Sequence, residues 1–233
     1  MRIGFCQKCL YKRSFRESSL ERDLSCSWRA RREAGGHAKG GKVTSSDVIM
    51  VPQIIPTDSV SVGRAATLAL RCTMCHGARG MSEAYTPNLA GQNAEVVYKQ
   101  LRDLQLGHRK SAIMGLHARN LSDQDMRGLA AYYSYLLRET PPSSLLGQRK
   151  APRIIQVGSP MFNIAPCASC HGGSARKTAS STLEGEPENY IRAQLSAFKD
   201  GTRHNDINGQ MRSVARQMTP EKVETLAKYY SQR

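Results

Sequence analysis

Apolar side chains return at helical spacing in two separate stretches of the chain. Val97, Leu101 and Leu104 fall at i, i+4 and i+7, on one helix face, and Ile191, Leu195 and Phe198 repeat that spacing later. A second stripe follows each: Met126, Leu129, Ala130, Tyr133 and Leu137 in the first stretch, and Val223, Leu226, Ala227 and Tyr230 in the second. Both later stripes carry start signals. Ser122 stands before Asp123 and Asp125, so its hydroxyl can accept a bond from a free N–H while the carboxylates face the positive helix end. Thr219 stands before Pro220 and Glu221, with proline at the first helical position. The small and apolar run "SVGRAATLAL" predicts a short helix ahead of these. No segment alternates apolar and polar residues as a strand would, so the pattern predicts an all-α protein. No run approaches the roughly 18 apolar residues of a membrane span; the nearest, "VIMVPQIIP", is broken by Pro52.

The paired stripes are part of a longer repeat. "LAGQNAEVVYKQLRDLQLGHR" from Leu89 aligns with "LEGEPENYIRAQLSAFKDGTR" from Leu183, so that Gln100, Leu101, Gly107 and Arg109 recur as Gln194, Leu195, Gly201 and Arg203. Upstream, "CTMCHG" recurs as "CASCHG"; downstream, Met114, Ser122 and Tyr132–Tyr133 recur as Met211, Thr219 and Tyr229–Tyr230. The order is preserved throughout. We expect two homologous domains, residues 56–138 and 153–233, joined by a linker over 139–152, "ETPPSSLLGQRKAP", which is rich in turn formers. Residues 1–55 precede them as a basic extension that we expect to be disordered.

Composition sharpens this picture in two places. Aromatic residues make up only 6% of the chain, so two small domains would have thin cores unless a large apolar cofactor completes them. The net charge is +15, and residues 1–46 hold 11 basic against 4 acidic side chains. Such a surface favours acidic protein partners or anionic lipid. Nucleic acid is not expected, because no basic face interleaved with aromatics is visible.

There are seven cysteines, an odd number that argues against a simple disulfide framework, and four of them sit in the repeated motif. In Cys-x-x-Cys-His, two thiols one turn apart can add to the two vinyl groups of a haem, and the adjacent imidazole can then bind the iron. Cys72, Cys75 and His76 form the first such set, and Cys167, Cys170 and His171 the second. A structural zinc site would need four ligands, and a thioredoxin-like dithiol would need a βαβ setting; neither fits as well as two covalent haems. A haem iron with one histidine needs a sixth ligand, and methionine is the usual choice for electron transfer. Met114 and Met211 qualify because each precedes its helix cap by the same distance, which would place both on the loop entering the last helix. His108, His117 and His204 do not recur and read as surface residues. "CQKC" at Cys6–Cys9 lacks the histidine and is not a third haem site.

These residues resemble the dihaem cytochrome c4 family, two class I cytochrome c domains in one chain. The resemblance covers about residues 60–233. It implies a mostly helical fold with haem-wrapping loops, two haem c groups near the domain boundary, and Met114 and Met211 as distal ligands to irons whose proximal ligands are His76 and His171. It implies that Gly63 and Gly158 sit where first and last helices cross, with Tyr133 and Tyr230 on the last helices. It further implies that the carbonyl of Pro87 orients His76; Ser181 occupies the corresponding place in the second domain, which predicts haems of unequal potential.

The function expected is single-electron transfer without catalysis, as a periplasmic shuttle between a membrane-bound or soluble donor and a terminal oxidase, with association to the membrane surface as an option. The alternative is the dihaem cytochrome subunit of an oxidoreductase such as a flavocytochrome sulfide dehydrogenase. Haem c is attached outside the bacterial cytoplasm, yet no export signal is visible in residues 1–50, so we expect a disordered tail, with a misassigned start of translation that lost the true signal as its candidate origin.

Overall fold

The computed structural model describes residues 46, 62–82, 85–139, 150–172, 177 and 179–232. The expected extension over 1–55, apart from residue 46, and most of the expected linker lie outside the described residues. The first repeat is built from helices α1 (Val62–Ala69), α2 (Thr73–His76), α3 (Ala94–Gln105), α4 (Ala112–Arg119) and α5 (Asp123–Tyr135). The second contains α6 (Arg153–Gln156), α7 (Ala168–His171), α8 (Glu188–Asp200), α9 (Gln210–Arg216) and α10 (Pro220–Ser231), with two 3-10 turns at Pro160–Phe162 and Ile207–Gly209. Among the described residues the only β pairing is one isolated bridge, Ser159 to Ile164.

The predicted caps are present. Ser122 accepts the backbone N–H of Asp125, and the Asp125 carboxylate accepts the Ser122 N–H in return, a capping box that satisfies two helix-end donors at once. Burial alone would raise the Asp125 carboxyl, but the Ser122 hydroxyl and the Arg64 guanidinium outweigh it and hold the group below its ordinary value. Thr219 caps α10 by accepting from Lys222 N, with Pro220 at the start.

The apolar stripes meet as expected. Val97 and Tyr98 of α3 pack against Met126, Leu129 and Tyr133 of α5, with Ala69 of α1 beside them. Ile191 and Leu195 of α8 pack against Leu226, Ala227 and Tyr230 of α10. Each fully buried large side chain is worth about 1.5–3 kcal/mol, so these paired faces are the main stabilisation of each repeat. Leu137, read as part of the α5 stripe, lies beyond the helix end and is exposed.

The glycines expected at the helix crossings are not there. Gly63 faces open space; α1 and α5 touch through Ala65 and Gly128, where an added Cβ on the glycine would stand 3.3 Å from that of Ala65. Gly158 instead ends the turn after α6 with φ +78°, and a Cβ there would lie 2.3 Å from the Ile164 carbonyl oxygen, a position only glycine can fill.

Both repeats sit within one compact unit, and repeated residues meet across their boundary. Arg109 donates to Gln100 Oε1 at 2.8 Å and to Gln194 Oε1 at 3.1 Å, while Arg203 donates to Gln194 Oε1 at 2.7 Å and to Gln100 Oε1 at 3.2 Å. Each glutamine thus accepts from the arginine of its own repeat and that of the other. Beside them, Lys99 donates to Asp103 at 2.5 Å and to the Asn205 carbonyl at 2.9 Å. His108, read as a surface residue, is half-buried, with Nδ1 3.6 Å from Asp103.

Candidate haem sites

The chain reaches the first motif without leaving helical turns. Cys72 N bonds the Ala69 carbonyl at the end of α1, and His76 N bonds the Cys72 carbonyl at 2.9 Å, closing the turn that carries Cys72, Cys75 and His76. Gly77 ends it with φ +77°, and a Cβ there would fall 2.0 Å from the Met81 carbonyl oxygen. The glycine after the histidine is therefore required by geometry. The second motif is built alike: His171 N bonds the Cys167 carbonyl at 2.9 Å, and Cys167 Sγ lies 3.5 Å from the Ile154 carbonyl. All four cysteines are free thiols.

Both histidines are oriented by a backbone carbonyl. His76 Nδ1 lies 2.8 Å from Pro87 O, and His171 Nδ1 lies 2.8 Å from Ser181 O. A carbonyl can only accept, so each Nδ1 carries the proton and each Nε2 presents a lone pair. Burial pushes both imidazoles below their ordinary value, against the opposing effect of the carbonyl bonds, which keeps them neutral and able to bind metal. His76 is 4% exposed and its Nε2 is buried with no hydrogen-bond partner. Such an orphaned acceptor costs roughly 1–3 kcal/mol, a cost that coordination to an iron would remove. The donor set therefore fits a haem: two thiols to anchor it and an imidazole with one free, buried nitrogen.

The thiol environments agree with that fit. Burial raises the Cys72 thiol, with the Tyr133 hydroxyl opposing in part, and pushes Cys167 up to about 11. Uncharged thioethers suit these surroundings better than thiolates would. Tyr133 and Tyr230 occupy equivalent positions, and burial beside Cys72 and Cys167 respectively raises both phenols above their ordinary range.

Met114 and Met211 stand on short helices rather than on loops. Ser111 caps α4 by accepting from Met114 N at 3.2 Å, which fixes the backbone of the methionine itself. The charge of His117, farther along α4, adds to burial in lowering the His76 imidazole. Met211 is half-buried against the core of the second repeat. His117 and His204 are exposed as expected. Among the described residues no cluster of three or more His, Cys, Asp or Glu side chains offers a separate metal site.

One feature was not foreseen from the motifs. The peptide group whose carbonyl holds each histidine is gripped at its N–H end by the other repeat. Asn88 N donates to Glu186 Oε2 at 3.0 Å, and Asn88 Nδ2 donates to the Gly185 carbonyl at 2.6 Å. Thr182 N donates to Gln92 Oε1 at 2.8 Å, and Gln92 Nε2 donates back to the Thr182 carbonyl at 3.2 Å. Arg138 completes the first clamp, with Nη2 2.5 Å from Glu186 Oε1 and Nε 2.8 Å from the Glu184 carbonyl. The signal lay in the repeat alignment, which pairs Gln92 with Glu186 and Asn88 with Thr182. Read alone, each is an ordinary polar loop residue.

Comparison with known proteins matches the chain to a family. Residues 60–136 match the family model for cytochrome c. The chain is 35% identical to a thiosulfate dehydrogenase electron acceptor of Stutzerimonas stutzeri (strain A1501), over 72% of this chain and 82% of the relative. It is 32% identical to cytochrome c4 of Pseudomonas aeruginosa, over 68% of this chain and 81% of that one. The crystal structure of reduced recombinant cytochrome c4 from Pseudomonas stutzeri superposes with a TM-score of 0.66 at 28% identity, covering 74% of this chain and 98% of that one. With its duplicated helical repeat and paired haem motifs, the chain belongs to the cytochrome c4 family, dihaem c-type cytochromes that carry electrons between redox proteins on two covalently attached haem c groups.

Proposed function

We propose that Cys72 and Cys75 anchor the first haem, with His76 and Met114 as its axial ligands, and that Cys167, Cys170, His171 and Met211 hold the second in the same way. The domains carrying them span 56–138 and 153–233. The observation that carries this reading is the matched pair of 2.8 Å bonds from His76 Nδ1 to Pro87 O and from His171 Nδ1 to Ser181 O, which leaves Nε2 of each ring for iron. The bound haem supplies a one-electron ferric–ferrous couple. The chain's own residues exclude water, fix the imidazoles and set the potential. With a histidine and a methionine both holding each iron, no position would remain for a substrate, which fits a carrier.

The carrier works in the periplasm, where covalent haem attachment takes place, and accepts electrons from a dehydrogenase of inorganic sulfur compounds. The resemblance to an electron acceptor of thiosulfate dehydrogenase over most of its length supports this donor. A terminal oxidase is the acceptor that would close the path.

The test uses purified holoprotein. We expect two covalent haems per chain, a methionine-to-iron absorption band from both when oxidised, complete reduction by a thiosulfate dehydrogenase given thiosulfate, and reoxidation by respiratory membranes. A single covalent haem, or no methionine-to-iron band, would refute the ligand assignment. Reduction by chemical reductants but not by the dehydrogenase would refute the donor.

A further inference from the structure

We infer that Glu186 and Gln92 set the two haems to different reduction potentials by acting across the domain boundary on the peptide groups that orient His76 and His171, making the first haem the lower-potential site. This rests on the ligand assignment proposed above.

A peptide group is a conjugated unit. An acceptor bonded to its N–H polarises it and adds negative charge to its carbonyl oxygen, and hydrogen bonds in such a chain strengthen one another. The Pro87–Asn88 peptide receives the His76 proton at its oxygen and gives its own N–H to the Glu186 carboxylate. The Ser181–Thr182 peptide receives the His171 proton and gives its N–H to the Gln92 amide oxygen. The two relays run in the same order and end on groups of different charge: a carboxylate at 3.0 Å in the first, and in the second an amide oxygen at 2.8 Å that also accepts from Asn93 N at 3.2 Å. A bond to a carboxylate is roughly twice as strong as one to a neutral acceptor. Arg138 engages the other carboxylate oxygen, Oε1, while Oε2 accepts from Asn88.

The sign follows. A more negative Pro87 oxygen draws the Nδ1 proton of His76 toward it, and the ring gains imidazolate character. Its Nε2 becomes the more basic ligand, which favours ferric over ferrous iron and lowers the potential. His171, held by the neutral relay, remains the weaker donor. The first electron to enter the protein therefore rests on the second haem, and transfer from the first domain to the second is downhill. Because each relay ends on the opposite domain, the potentials belong to the assembled pair.

The experiment follows each haem separately in a redox titration of the holoprotein, resolved by haem methyl resonances, in wild type and in two isosteric exchanges. Glu186→Gln is expected to raise the first haem and leave the second in place, narrowing the electron-sharing constant between them by about threefold or more, a fraction of what a charge-assisted bond adds. Gln92→Glu, read well above the carboxylate range, is expected to lower the second haem only. A residue with a merely structural role would not move one midpoint selectively, nor the two in opposite directions. If both midpoints shift together, or neither moves, the relay is refuted.

Glu186→Gln leaves Arg138 without its carboxylate, so the double exchange Arg138→Gln with Glu186→Gln is the companion variant. It keeps the net charge of wild type, and a raised first haem there excludes a simple through-space effect. The unaltered protein gives an independent reading. In the reduced, diamagnetic state the Asn88 amide proton should resonate downfield of that of Thr182, and the reverse order would overturn the inference. Haem content and the methionine-to-iron band are recorded on the same samples: their absence in wild type indicts the ligand assignment, whereas normal spectra with unmoved potentials indict the relay alone.

Discussion

Arg138 and Glu186, one from each repeat, form an ion pair whose side chains are only 5% and 3% exposed. The arginine also reaches the Glu184 carbonyl, and the glutamate holds the Asn88 amide. The pair therefore joins the segment that follows α5 to the histidine-orienting loops on both sides of the boundary.

Removing one partner of a buried pair leaves the other charge uncompensated, which costs about 3–5 kcal/mol. Arg138→Met is expected to destabilise the holoprotein by that order, measured as a lower denaturation midpoint. Replacing both residues with apolar groups of similar size is expected to cost far less. Equal losses in the single and double variants would show that the charge pairing is not the source of the effect.

Gln194 accepts from both interface arginines. Gln194→Leu strips that acceptor from two guanidiniums at once, and Arg203 is already pulled down to about 10 by burial and by the neighbouring Arg109. A loss of about 1–3 kcal/mol is expected, with the two domains unfolding in separate steps. Calorimetry would show one transition in the wild type and two in the variant.

The capping box of α5 ties stability to acid pH. The folded Asp125 carboxyl lies below its ordinary value, so its contribution is fully present above the unfolded value of about 3.9. It is lost as pH falls through the folded value. Asp125→Asn should cost about 0.5–2 kcal/mol at neutral pH and make the acid limb of the stability curve shallower. Urea denaturation between neutral and acid pH measures both; an unchanged acid limb would show that other carboxylates govern it.

Gly77 closes the first haem motif against the Met81 carbonyl. Gly77→Ala should prevent the Cys72–His76 turn from seating, yielding protein with one covalent haem in place of two while the second motif loads normally. Haem quantification by pyridine haemochrome decides it.

Met114→Ala and Met211→Ala should each remove about half of the methionine-to-iron band and lower one potential, since methionine ligation raises it. Loss of the whole band from one substitution would mean that only one haem is methionine-ligated.

Much of this was legible in the chain. The stripes Val97–Leu101–Leu104 and Ile191–Leu195–Phe198 point inward as their spacing requires, because a helix buries whatever recurs on one face. Ser122 and Thr219 cap the predicted helices because their chemistry acts within one turn. The motif residues sit on single turns for the same reason. The helix crossing was misplaced from Gly63 to the contact of Ala65 with Gly128, because where two helices touch depends on the register of both. Met114 and Met211 stand on short helices where the chain pattern predicts loops, because about two turns leave little periodicity to read.

The sequence by itself determined the number of repeats, which shows in the order of matched residues, and the helical class, the caps and the covalent chemistry, which depend on neighbours a few positions apart. The tertiary structure alone decided that Glu186 grips the peptide behind His76 while Gln92 grips the one behind His171. These partners stand ninety or more residues apart. No local pattern encodes such a meeting, because it arises only when two folded domains bring their loops together, and burial there makes the difference between a carboxylate and an amide count.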